Sequence, residues 1–220
     1  MKKLSIILVS VLFVFSGCTD IMLKMYGLKS DYTILDRNNL STLAKKHNIP
    51  LGDLYELDTL YYNFIKSYNK DVYEENISNH LQSLQALYFD KNGDLISFHI
   101  NCYAGGFPNL KWNRDKILDT FVPKTQAPLD SLVTYNNLVP YLQPFQLTEI
   151  KQSDYDYIVA IFWADFMGRQ SKRLIKAIQK NVSFATKDKR VKIIYVNLDN
   201  FKYELAKRQQ KEETLQLKNN

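Results

Sequence analysis

Residues 156–181 read DYIVAIFWADFMGRQSKRLIKAIQKN, and a change of period inside this stretch decides the fold class. From Tyr157 to Trp163 both alternating sides are apolar: Ile158, Ala160 and Phe162 on one, Tyr157, Val159, Ile161 and Trp163 on the other. A strand with two apolar faces is an internal strand covered on both sides. From Gly168 the spacing turns helical, with Leu174, Ile175, Ile178 and Val182 on one stripe. KRVKIIYVNLD (189–199) reads as a second buried strand and FKYELAKRQQKEETLQL (201–217) as a polar terminal helix. Strand, helix and strand in succession imply two parallel strands joined by a right-handed crossover. The fold class is therefore α/β, with a βαβ unit over 154–217.

Upstream, DRNNLSTLAKKHNIP (36–50) predicts a helix capped by Asn38 or Asn39 and ended by Ile49-Pro50. LGDLYELDTLYYNFIKSY (51–68) continues with apolar residues at helical spacing. LQALYFDKNGDLISFHINC (84–102) carries Asn92-Gly93, the favoured pair of a type I′ turn, where both central residues take positive φ. The register then pairs Leu87 with Phe98 and Phe89 with Ile96. Ser97, His99 and Asn101 fall on a polar face with Asp90, and Cys102 falls on the apolar one. KWNRDKILDTF (111–121) reads as a short helix, and residues 123–153, with four of the six prolines, as a connector with little regular structure. The organisation expected is a segment 1–17, a tether 18–30, an α+β region 31–122, the connector, and a unit over 154–220.

The stretch IFWADFMGRQ resembles the start of a thioredoxin active site, where Phe-Trp-Ala ends a strand and Trp-Cys-Gly-x-Cys opens a helix. Trp163, Ala164 and Gly168 match that pattern, and Val196-Asn197-Leu198-Asp199 is similar to the family's next strand with its terminal acid. Met167 and Gln170 stand at the two cysteine positions. Disulfide exchange needs an attacking thiolate and a resolving thiol. A thioether and an amide provide neither, so thiol–disulfide oxidoreductase chemistry is excluded at this motif. The resemblance implies a further hairpin and helix after the βαβ unit, which the C-terminus lacks. The hairpin 84–102 and residues 113–121 resemble that closing segment, moved ahead as in a circular permutant. The alternative is a generic βαβ unit beside a separate α+β part.

The N-terminus, MKKLSIILVSVLFVFSGCTD, has Lys2 and Lys3, an apolar run from Leu4 to Phe15, and Ser16-Gly17 directly before Cys18. That run is too short to span a bilayer. The order resembles the lipobox of bacterial lipoproteins, with Phe15 departing from the usual Leu. It implies cleavage between Gly17 and Cys18, acylation of Cys18 (palmitate among its chains), and stable anchoring in the cell envelope. Thr19 after the cysteine implies outer-membrane delivery. The alternatives are an ordinary cleaved signal and an uncleaved anchor. Cleavage would take 17 of the 220 residues and leave 203, and with Lys2 and Lys3 gone the net charge falls from +6 to +4. No nucleic-acid motif accompanies that mild balance. With Cys18 acylated, Cys102 is left without an internal partner. His47, His80 and His99 lack the spacing of a metal site, and no cofactor motif occurs.

Two surfaces are candidates for partners. Arg169, Lys172, Arg173, Lys176 and Lys180 recur on one side of the 168–182 helix, a face suited to anionic headgroups or an acidic envelope protein, or simply to water. Tyr55, Tyr61, Tyr62, Phe64, Tyr68 and Tyr73 could stack on sugar rings, although their spacing suits a core. The function expected is a non-catalytic, lipid-anchored binding or structural module. The alternatives are a hydrolase or transferase using His80 or His99 with Asp90 or Asp94, and an immunity or accessory lipoprotein.

Overall fold

The computed structural model describes residues 27–29, 32–101, 111–147 and 150–218, so Gly17, Cys18 and Cys102 lie outside the description. Six strands form one mixed sheet: β1 Leu54–Leu57, β2 Gln85–Asp90, β3 Leu95–Ile100, β4 Leu142–Pro144, β5 Tyr157–Trp163 and β6 Val191–Asn197. Their order across the sheet is β3-β2-β5-β6-β1-β4. The helices are α1 Arg37–Lys46, α2 Leu60–Lys66, α3 Lys70–His80, α4 Tyr135–Leu138, α5 Arg169–Val182 and α6 Asp199–Lys218. The protein is α/β, as the period change at 156–181 predicts.

Strand β5 sits at the centre, and Ile158 to Trp163 are all buried. It runs parallel to β6, with Val159 opposite Ile193 and Ile161 opposite Tyr195. On its other edge it runs antiparallel to β2, with Leu87 opposite Ala160. The hairpin β2–β3 therefore belongs to the same sheet as the βαβ unit. On one face, Tyr195 accepts a bond from Gln179 of α5, and Tyr157 meets the Phe121 ring edge-on at 5.2 Å. On the other, Phe162 and Phe201 pack on Tyr61, and Phe89 on Tyr135.

The hairpin departs from the expected turn. Of its two central residues only Gly93 takes positive φ, at 86°. The Asp90 side chain accepts from the N–H of Asn92 and of Asp94, both at 2.9 Å, which ties the loop to the strand end. A carboxylate bonding its own backbone two residues on competes with the type I′ turn and wins here. The ladder shifts at Tyr88/Phe89, so Phe89 faces Leu95 instead of Ile96, while Leu87 keeps Phe98. The polar face is not solvated either. Ser97 and His99 are fully buried, because α5 and residues 112–122 cover them. Asn181 of α5 accepts from the Tyr88 hydroxyl at 2.9 Å and donates to the carbonyls of Leu118 and Thr120 at 2.8 Å.

Other expectations are corrected. Asp36, not Asn38 or Asn39, caps α1, accepting from the Asn39 N–H at 2.7 Å. Residues 54–57 are strand, not helix, because they pair with β6 and β4. Residues 111–121 hold only a three-ten turn, Arg114–Lys116, with Asp115 and Lys116 at positive φ. Asn113 holds that turn open by accepting from Leu118 N–H and donating to Asp119. The connector contains α4 and the edge strand β4. Tyr55 and Tyr61 are buried, and Phe64 stacks on Tyr141 at 5.2 Å, so this aromatic group is largely core.

A buried polar group left without its partner costs roughly 1–3 kcal/mol, so Asn181→Leu, which strands a phenol and two carbonyls, should lose roughly 3 kcal/mol or more in urea unfolding. Tyr88→Phe should lose about 1 kcal/mol. Equal midpoints for the parent and Asn181→Leu would show that this bridge does not hold helix to sheet.

Candidate functional site

Strand β5 delivers Trp163 and extended Ala164, after which Asp165–Met167 make a three-ten turn and Gly168, at φ 48°, starts α5. A side chain at Gly168 would collide with the carbonyl of Gly27, so this position needs glycine both for its φ and for the close approach. Ser171 ties the first turn of α5 back to the strand end, donating to the Ala164 carbonyl at 2.5 Å. From the end of β6, Asp199 accepts from the N–H of Asp165 at 2.7 Å and of Phe166 at 3.2 Å, and from the Asn197 amide at 2.8 Å. Burial pushes the Asp199 carboxyl up from its usual range, while those three bonds pull it down. The adjacent strand ends thus fix the turn's shape through one carboxylate.

Met167 is 8% exposed and Gln170 3%. Both positions expected for a degenerate redox pair are closed to solvent. Trp163 is fully buried, and its ring meets His47 edge-on at 5.4 Å. Burial first, then the charges of Lys46 and Lys172, hold the His47 imidazole below its usual range, against the pull of Asp165. His47 Nδ1 and Trp163 Nε1 are buried with no hydrogen-bond partner among the described residues. Sequence reasoning missed His47, which stands at the end of α1, more than a hundred residues from the turn.

Sequence reasoning also missed what lies on top. The Lys29 N–H donates to the Phe166 carbonyl at 2.8 Å, and the Lys29 ammonium pairs with Asp165. Tyr32 packs edge-on against Phe166 at 4.8 Å. Leu35 exchanges two bonds with the Asn200 amide, at 2.8 and 3.0 Å, at the start of α6. Part of the expected tether, with the residues just after it, is therefore docked on the turn.

The charged residues of α5 lie on its outer side, with the Arg169 side chain reaching back against Gly27. Arg169, Lys172, Arg173, Lys176 and Lys180 are all exposed and follow one side of the helix, as their spacing predicts.

The two histidines weighed as bases are buried, and neither is hydrogen-bonded to Asp90 or Asp94. His80 Nε2 lies 3.0 Å from Asp130, a residue sequence reasoning did not select, and stacks on Phe98 at 4.7 Å. Burial alone would raise the Asp130 carboxyl. The His80 bond and charge, with bonds from Asn76 and the Leu132 N–H, outweigh it and hold the group low. His99 shares a 3.1 Å bond with Ser97 and faces Tyr88. Burial lowers its imidazole to about 4. Among the described residues no group of three or more His, Cys, Asp or Glu is placed to hold a metal ion. No known protein family, no curated protein and no solved structure matches the chain.

His99 gives the fold a measurable pH dependence. Its folded pKa lies below the ordinary 6.5, so its stabilisation is complete above pH 6.5 and is lost as pH falls from 6.5 towards 4. A shift of that size is worth on the order of 3 kcal/mol. Urea midpoints at pH 7, 5.5 and 4.5 should fall for the parent and fall less for His99→Gln. Parallel declines would place the acid sensitivity elsewhere.

Proposed function

We propose that this chain is a non-catalytic lipoprotein of the bacterial cell envelope, held by acylated Cys18 in the outer membrane, whose thioredoxin-like unit serves as a binding or structural scaffold. The closure of the β5–α5 turn carries this reading. A redox site needs a thiolate that a substrate disulfide can reach. Here a thioether and an amide fill the two positions, both buried, with Gly27 against Gly168 and Lys29 bonded to Phe166 on the same turn.

The placement of the hairpin supports the permuted thioredoxin-like order. Strands β2 and β5 are adjacent and antiparallel in one sheet, as that arrangement requires. The missing closing helix over residues 113–121 is its main departure. The charged face of α5 supports a second element of the proposal, contact with an anionic surface or an acidic envelope partner. Cations on a protein tethered close to a lipid surface add about 1 kcal/mol each when the headgroups are anionic. The His80–Asp130 pair is the observation nearest to the enzyme reading, but His80 is fully buried with Phe98 stacked on its ring, which does not favour a substrate's approach.

Two experiments test the proposal. Labelled palmitate should enter the parent protein and not Cys18→Ala, which should accumulate as uncleaved precursor. Equal mobility and equal detergent partitioning of the two would remove the lipid anchor. Met167→Cys combined with Gln170→Cys should fold with a Tm within a few degrees of the parent and should not turn over insulin disulfides. A rate near that of a true thioredoxin would make the scaffold a silenced enzyme and reject the reading.

A further inference from the structure

The ends of α2 and α3 and the first turn of α6 enclose a groove of about 460 Å³, lined by Lys66, Lys70, Ser78, Ser83 and Lys202 among others. A second cavity of about 280 Å³ adjoins it, sharing Lys66, Leu81 and Lys202 and adding Tyr62 and Leu205. Its volume places the larger groove within the range of small-molecule sites, about 300–1,000 Å³.

Lys202 is the distinctive residue. Its side chain is mostly buried, and its ammonium donates to the Leu81 carbonyl at 2.9 Å. That acceptor carries no formal charge. Among the described residues no carboxylate lies within ion-pair distance of Lys202, and Glu74, the acid that lines the groove, is taken by Lys70 at 3.3 Å. A cation drawn out of water without a counter-charge is costly. Burial pulls the Lys202 ammonium below its usual range, in line with that cost. Neutral donors, Ser78, Ser83 and Gln82, complete the polar wall.

We infer that the joined groove binds a small organic anion, with a phosphate or carboxylate group on Lys202 and Lys66 and an apolar body against Tyr62 and Leu205. The anion supplies the charge that Lys202 lacks, and the apolar wall separates this ligand class from inorganic ions. The inference does not rest on the lipid anchor. The same headgroup chemistry occurs in soluble organic phosphates and in anionic lipids.

Calorimetry of the full chain in dodecyl maltoside should show saturable binding of phenyl phosphate, at least tenfold tighter than inorganic phosphate. Lys202→Gln should weaken it at least tenfold, and Lys202→Arg should retain it. Lys66→Glu, a change on the exposed rim that leaves the core intact, should weaken it as well. Phosphatidylglycerol vesicles that bind the parent and not Lys202→Gln would identify a lipid headgroup as the source. Vesicle binding insensitive to Lys202→Gln, with phenyl phosphate still sensitive, would identify a soluble one. Absence of saturable binding to phenyl phosphate and to vesicles alike, or binding unchanged in both Lys202→Gln and Lys66→Glu, overturns the proposal. So does inorganic phosphate binding as tightly as phenyl phosphate.

Discussion

Strand β5 is the constraint on which the rest depends. Its side chains are buried on both faces, so its backbone groups have no water to turn to and must be paired along both edges. Strand β6 follows it in the chain and takes one edge through the α5 crossover. The other edge is taken by β2, some seventy residues earlier, and not by any later segment. Once β2 is beside β5, the hairpin carries β3 with it, and residues 112–122 are drawn under α5 through Asn181. The N-terminal half is a required part of the sheet.

The same logic accounts for the turn after β5. A sharp strand-to-helix turn leaves N–H groups without partners, and the fold satisfies them with the Asp199 carboxylate from the neighbouring strand end. An internal acceptor makes an external ligand unnecessary there. With Met167 and Gln170 turned inward and Lys29 paired to Asp165, this turn has the chemistry of a joint. The exposed cations of α5 lie on its outer flank, and Lys202 carries a charge that no carboxylate among the described residues answers.

How much of this could be read from residues alone follows from range. The β5–α5–β6–α6 series was legible because each element declares its period over seven or more residues. The Leu87–Phe98 register was legible from hairpin alternation, but the bulge beyond it depends on Asp90 capturing its own loop. Residues 54–57 read as helix because Leu54, Leu57, Leu60 and Tyr61 share a helical spacing. Only pairing of Leu54 with β6, some 140 residues away, and of Leu57 with β4 makes a strand of the first two. The burial of the polar face of β3 was not legible, because nothing local announces that Asn181 and the 112–122 segment will cover it. Of the candidate site, the absence of a thiol at 167 and 170 was legible and the burial of both positions was not. The cover on that turn comes from Gly27, Lys29 and Tyr32, and Trp163 meets His47; no spacing rule connects these residues to residue 167.

The position of β6 also orders the birth of the molecule. In the sheet order β3-β2-β5-β6-β1-β4, β6 is, among the described strands, the bridge between a three-stranded part and the ribbon β1–β4. Two-stranded ribbons are marginal in water. Until residues 191–197 have been synthesised, β1 has no parallel neighbour, and Leu54 waits for Tyr195 across most of the chain. Assembly therefore begins at one side of the sheet and closes at the other in a late step, with the long-range contacts that make folding slow. A ribosome would hold an unfinished sheet until residues 191–197 had left it.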